Sequence, residues 1–230
     1  MQMLLQSQRK LQLLNARIVP NDTALMDDGH VTFCDNPNEM KLLVEKITKL
    51  TMFASTSEDQ TAKSFRHYQF LMKNIPSLRA LAIVGYDEPN TPPESTKWVD
   101  LRTILHEGLT TPRFNNLTSL RLKPVDLEKS SNVLFSNVKF SSLIKLILIG
   151  CDHMTPFMDA LLEYYNKNKY VLAMLSISLP WQSSEPDTDI QTIERFLRDG
   201  PKVLKLEIDV SGHGLLNKSH FIVQAKSLSL

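Results

Sequence analysis

Apolar residues return along the chain in one phrase, apolar-x-x-apolar-x-apolar. Leu143, Leu146 and Leu148 are its clearest statement. The same spacing recurs at Ile47/Leu50/Met52, Leu78/Leu81/Ile83, Leu117/Leu120/Leu122, Leu172/Leu175/Ile177 and Val203/Leu206/Ile208. A weaker copy, Ala225/Leu228/Leu230, closes the chain, and another opens it at Gln8/Leu11/Leu13. Counted between first anchors, the steps are 39, 31, 39, 26, 29, 31 and 22 residues. Three copies share more than their anchors. Ser77-Leu-Arg-Ala-Leu-Ala-Ile-Val-Gly85, Asn116-Leu-Thr-Ser-Leu-Arg-Leu122 and Ser142-Leu-Ile-Lys-Leu-Ile-Leu-Ile-Gly150 each set a polar or small residue before the leucine, and two close on glycine.

The last three positions of the phrase alternate, as a strand with one buried face requires. The pattern therefore predicts short strands over 49–53, 79–84, 119–123, 145–149, 174–177 and 205–210. One such strand cannot shield its own apolar face. Stacking each unit on the next can, and this predicts an α/β solenoid with a parallel sheet and irregular segments on its other side. A doubly wound sheet with similar strands is the rival.

Between the strands, helical spacing predicts helices over 39–46, 61–73 and 99–109, one opened by Thr155 as cap with Pro156 at its first position, and one carrying Ile190, Ile193, Phe196 and Leu197. Asp199-Gly-Pro201 stops the last. Residues 126–132 read as a polar connection, 135–140 carries no clear assignment, and 87–94 and 183–189 read as exposed excursions. No break in composition divides the chain, so residues 1–230 are taken as one domain.

These segments resemble leucine-rich repeats over nearly the whole chain. Their long, uneven period resembles the C-terminal repeat region of fungal F-box proteins, although no segment matches the F-box itself. The resemblance implies a horseshoe whose concave face is the parallel sheet. It also implies a non-catalytic protein-recognition module, the substrate-binding part of a ubiquitin-ligase adaptor. The ending on a half-finished repeat fits a truncated array.

Basic and acidic side chains number 26 and 25, for a formal charge of +1. Such balance gives no broad field toward nucleic acid or an anionic membrane, and neither is expected as a partner. No apolar run approaches the roughly 18 residues of a membrane span, and the N-terminus does not read as a secretory signal. Two cysteines, Cys34 and Cys151, fit reduced thiols in a cytoplasmic or nuclear protein. The glycosylation-like triplets at Asn116 and Asn217 then read as chance.

Chemistry-bearing motifs are sparse. The six histidines form no HxH or HExxH pattern, so no metal or cofactor is expected. Cys151-Asp-His153 offers a nucleophile and a base in one tripeptide, which keeps a hydrolase-like alternative open. In the resembled motif Cys151 fills the slot whose side chain turns inward and bonds backbone at the strand exit. A structural fragment without function of its own is the third reading.

The positions between the inward leucines should face a partner. On this face Phe53, Val84, Ile147, Ile149 and Met174 supply apolar area. Arg121, Lys123 and Lys145 make a basic spot, and Lys205 and Glu207 add mixed charge. The expected partner is a protein with an acidic or mixed apolar surface.

Overall fold

The computed structural model describes residues 16–18, 47–55, 75, 77–86, 98–105, 112–179 and 186–209. A seven-stranded parallel sheet runs through them in strict chain order. Its strands are β1 (Ala16–Ile18), β2 (Lys49–Ser55), β3 (Ala80–Tyr86), β4 (Ser119–Lys123), β5 (Lys145–Ile149), β6 (Val171–Ser178) and β7 (Lys202–Asp209). Helices α1 (Leu127–Asn137), α2 (Met154–Asn168) and α3 (Pro186–Asp199) follow β4, β5 and β6. Each packs on the next, and their buried residues join the strand leucines in one core. The fold is α/β.

Register explains the recurring phrase. Leu50, Leu81, Leu120, Leu146, Leu175 and Leu206 form one row across the sheet, and Met52, Ile83, Leu122, Leu148, Ile177 and Ile208 form the next. From β2 to β6 both rows are buried. The first anchors Ile47, Leu78, Leu117, Leu143 and Leu172 are buried beneath them. Burying a side chain of this size stabilises by about 1.5–3 kcal/mol, so the rows are the main apolar store of the fold.

The x-x step also has a physical cause. Arg79 and Ala80 both donate their N–H to the Thr48 carbonyl, at 2.8 and 3.0 Å. Thr118 and Ser119 do the same to Arg79 O, at 2.8 and 3.0 Å, and Ile144 and Lys145 to Thr118 O, at 2.8 and 2.9 Å. Two neighbouring N–H groups thus share one carbonyl, which has lone pairs for both. Two residues oppose one, as in a bulge, and strict alternation is lost for that step. It resumes at the second leucine.

The two strand-closing glycines serve different needs. Gly150 sits at φ +59, where a side chain is strained. Gly85 has no room, because a Cβ there would lie 2.7 Å from Val99 Cγ2 and 2.9 Å from Pro124 Cδ.

Several expectations change. β1 places Ala16 beside Leu50 and Ile18 beside Met52. The strand of the opening repeat is therefore phased on Ala16/Ile18, five residues later than the expected Leu11/Leu13. The helix expected over 99–109 is, within the described residues, a bridge from Val99 to Val125 and a short 3-10 turn at Leu101–Thr103. Leu101, Ile104 and Leu105 are buried, so their helical spacing is satisfied by that turn.

The polar connection at 126–132 is instead the start of α1, with Asp126 accepting from Lys129 N at 3.3 Å as cap. Its buried polar residues hid it. Ser130 Oγ accepts from Leu101 N, and Asn137 Nδ2 donates to Val133 O.

Helix α2 begins at Met154, so Thr155 and Pro156 lie inside its first turn. The carboxylate of Asp189 on α3 accepts from Met154 N at 3.2 Å, which makes the cap a contact between repeats. Helix α3 starts at Pro186, within the predicted excursion, and Asp189 is buried. The expected helices over 39–46 and 61–73, the excursion at 87–94 and the closing repeat at 225–230 lie outside the described residues.

The rows predict a sharp contrast within β5 and its approach. Leu146→Ala should lower unfolding stability by about 2–5 kcal/mol. Ile144→Ala, at a position 53% exposed, should change it by less than about 0.5 kcal/mol. Urea unfolding monitored by circular dichroism checks this, and equal losses would remove Leu146 from the core.

Candidate functional site: the outward face of the sheet

The face opposite the buried rows carries the residues singled out in the sequence. One row runs Lys49, Ala80, Ser119, Lys145, Met174, Lys205, and the next Thr51, Ala82, Arg121, Ile147, Ser176, Glu207. Beyond them Phe53, Val84 and Lys123 align from β2 to β4, and Ile149, Ser178 and Asp209 from β5 to β7. Arg121, Lys123, Lys205 and Glu207 are exposed, while Val84, Lys145, Ile147, Ile149 and Met174 are half-buried. Phe53 holds its place in β2, and its side chain lies outside the described set.

Arg121 and Lys123 lie on β4 and Lys145 on the adjacent β5, where Lys145 stands opposite Ser119, diagonal to Arg121 and two rows from Lys123. Ile147 and Met174 sit beside them. Charge changes sign toward β7. Lys205 Nζ lies 2.7 Å from Glu207 Oε1. Its hydrogen bond and charge hold the Glu207 carboxyl below the usual range, and Ser176 and Lys145 act in the same direction. Ser178 Oγ donates to Asp209 Oδ2 at 3.4 Å. The face is thus basic over β4 and β5, apolar at its middle and mixed toward acidic at β7. It offers positions for contact and charge matching.

A second cluster, at the strand exits, was not foreseen. Asp126 and Asp152 pair across the ends of β4 and β5, and both are buried. His153, at φ 52, directs Nδ1 to within 3.6 Å of Asp126 and 3.4 Å of Asp152, and Nε2 to 4.0 Å from Glu128. The donor atoms of Asp126, Glu128 and His153 lie within 4.8 Å of one another, which a divalent ion could bridge after small shifts. Lys129 Nζ already stands 3.2 Å from Asp126, so a cation serves that carboxylate while its other oxygen caps α1. The signal was present in the sequence: an aspartate stands six residues after Leu81, Leu120 and Leu146, at Asp87, Asp126 and Asp152.

Cys151 faces the other way. Its Sγ is buried against Leu122 O at 3.6 Å and Ile149 O at 3.8 Å, the inward turn expected for this slot. Burial pushes the thiol up to about 12, so it stays protonated near neutrality and is not an activated nucleophile. Trp98 spans the same rim, its indole N–H donating to Gly150 O at 3.0 Å.

No protein-family model, curated protein or solved structure matches the chain.

The raised thiol has two measurable consequences. In the native protein at pH 8, Cys151 should resist iodoacetamide and react only after unfolding, as read by peptide mass mapping. The neutral thiol is favoured by the fold, so this group's contribution is full below the unfolded value near 9 and falls as pH climbs from about 9 toward 12. Rapid native alkylation of Cys151 would contradict the assignment.

Proposed function

We propose that the chain is a leucine-rich-repeat solenoid that recognises a protein partner through the outward, concave face of its sheet. The observation that carries this reading is the repeated step itself. At successive repeats the same three anchors are buried, and at three of the steps described above two adjacent N–H groups reach one carbonyl of the preceding repeat. A stack built this way projects two rows of side chains that the fold does not need for its core. Such rows can vary without disturbing the leucines, which suits a binding surface.

The composition of that face supports a protein ligand over a small substrate. Ile147 and Met174 give apolar contact area, which supplies affinity, while Arg121, Lys123 and Lys145 select an acidic neighbour and set orientation. The link to a ubiquitin-ligase adaptor is the further step that the fungal F-box resemblance suggests. Co-purification with the protein that F-boxes bind is its separate test.

Peptides selected against the full chain from a displayed random library provide the test of recognition. Acidic-apolar sequences should emerge and should protect β4–β6 amides from exchange. Lys123→Glu together with Lys145→Glu should weaken them roughly ten-fold or more without altering the unfolding transition. Protection confined to α1–α3, or unchanged affinity in the double variant, would reject this face as the site.

A further inference from the structure

The turns that leave β4 and β5 are latched to one another. Asp152 N donates to Val125 O and Leu127 N donates to Asp152 O, both at 3.1 Å. These bonds set Asp126 beside Asp152 in a parallel bridge. Each turn then opens a helix, α1 after Asp126 and α2 after His153. The side chains gathered here come from two successive repeats, and backbone bonds hold them in place.

Three of them are metal-ligand types. Asp126, Glu128 and His153 each offer one donor atom, and these atoms lie within 4.8 Å of one another. An ion held at about 2.0–2.2 Å from each would set them roughly 3.4 Å apart around a tetrahedron. Asp126 is fixed as the cap of α1. The Glu128 side chain is 61% exposed and the His153 ring partly so, and their rotation supplies the difference.

A fourth residue supports the imidazole. Asp152 is buried, and its Oδ2 lies 3.4 Å from His153 Nδ1, while Nε2 lies 4.0 Å from Glu128 Oε2. A carboxylate held against one ring nitrogen orients the ring and raises the basicity of the other, the arrangement found behind metal-bound histidines. We infer that Asp126, Glu128 and His153 form a binding site for a zinc-type divalent ion, which ties the exit of β4 to that of β5.

The donor set selects the class of ion. An imidazole nitrogen disfavours calcium and magnesium, which prefer oxygen throughout, and two carboxylates disfavour soft ions that prefer sulfur. Three protein ligands leave a fourth position for water. Lys129 is a built-in competitor, because its Nζ lies 3.2 Å from Asp126 Oδ2. Histidine spacing within one segment predicts no metal, but ligands divided between repeats leave no such spacing.

Isothermal titration of the full chain with zinc chloride tests the inference. A site of micromolar affinity or tighter should appear. Zinc should shift the ring signals of His153 in histidine-selective NMR spectra and raise the unfolding temperature, and magnesium and calcium at the same concentration should not. His153→Ala and Glu128→Gln should each weaken the site roughly ten-fold or more, with circular dichroism unchanged. Lys129→Gln should tighten it by removing the competing ammonium, a gain that damage to the fold cannot produce.

No binding up to millimolar zinc would overturn the inference, as would a site loosened by Lys129→Gln. Zinc affinity unchanged in both His153→Ala and Glu128→Gln would also overturn it, by placing the ion on other histidines. Equal binding of calcium that ignores His153→Ala would do the same, by making the cluster an all-oxygen site.

Discussion

The structure depends on one repeated contact, the sharing of a carbonyl by two adjacent N–H groups of the next repeat. Thr48, Arg79 and Thr118 each supply such a carbonyl. The contact fixes where a strand begins relative to its neighbour. A one-residue slip would turn every leucine of that strand toward water. Register and burial therefore enforce each other. The doubled N–H sets the phase, and the leucine rows supply the free energy that holds it.

Stability in such an arrangement is passed between neighbours. The carboxylate of Asp189 on α3 receives the first N–H of α2, Ser130 of α1 receives Leu101 N, and Cys151 turns back on Leu122 O. In these three contacts a polar group of one unit is completed by an atom of the unit beside it. On the face opposite the helices the side chains pair with neighbours on the same surface, as Ser178 does with Asp209. A binding function is therefore argued there.

Much of this was legible in the sequence. The phrase carried by Leu81, Leu120, Leu146 and Leu175 located the strands and both faces, because burial at fixed register leaves a direct trace in residue type. The placement of Arg121, Lys123 and Lys145 on one face of two neighbouring strands followed from the same alignment. What escaped was polar or shared between repeats. Helix α1 was hidden because Ser130, Ser131 and Asn137 are buried and bonded to backbone, so its inner face does not read as apolar. The cap of α2 lies 35 residues away on Asp189, beyond any local signal. Leu101, Ile104 and Leu105 carried helical spacing that a single turn satisfied. At Cys151-Asp-His153 the tripeptide suggested one site, and the fold separates it into an inward thiol and an outward imidazole among carboxylates.

Methyl and backbone nuclear Overhauser contacts in the leucine rows address the central claim most directly. The account predicts contacts linking the Leu120, Leu146 and Leu175 methyl groups in sequence, with no close Hα–Hα contacts between β4, β5 and β6. Strong Hα–Hα contacts between these strands, or Leu146 methyls without contact to either neighbour, would contradict the parallel stack and everything argued from its outward face.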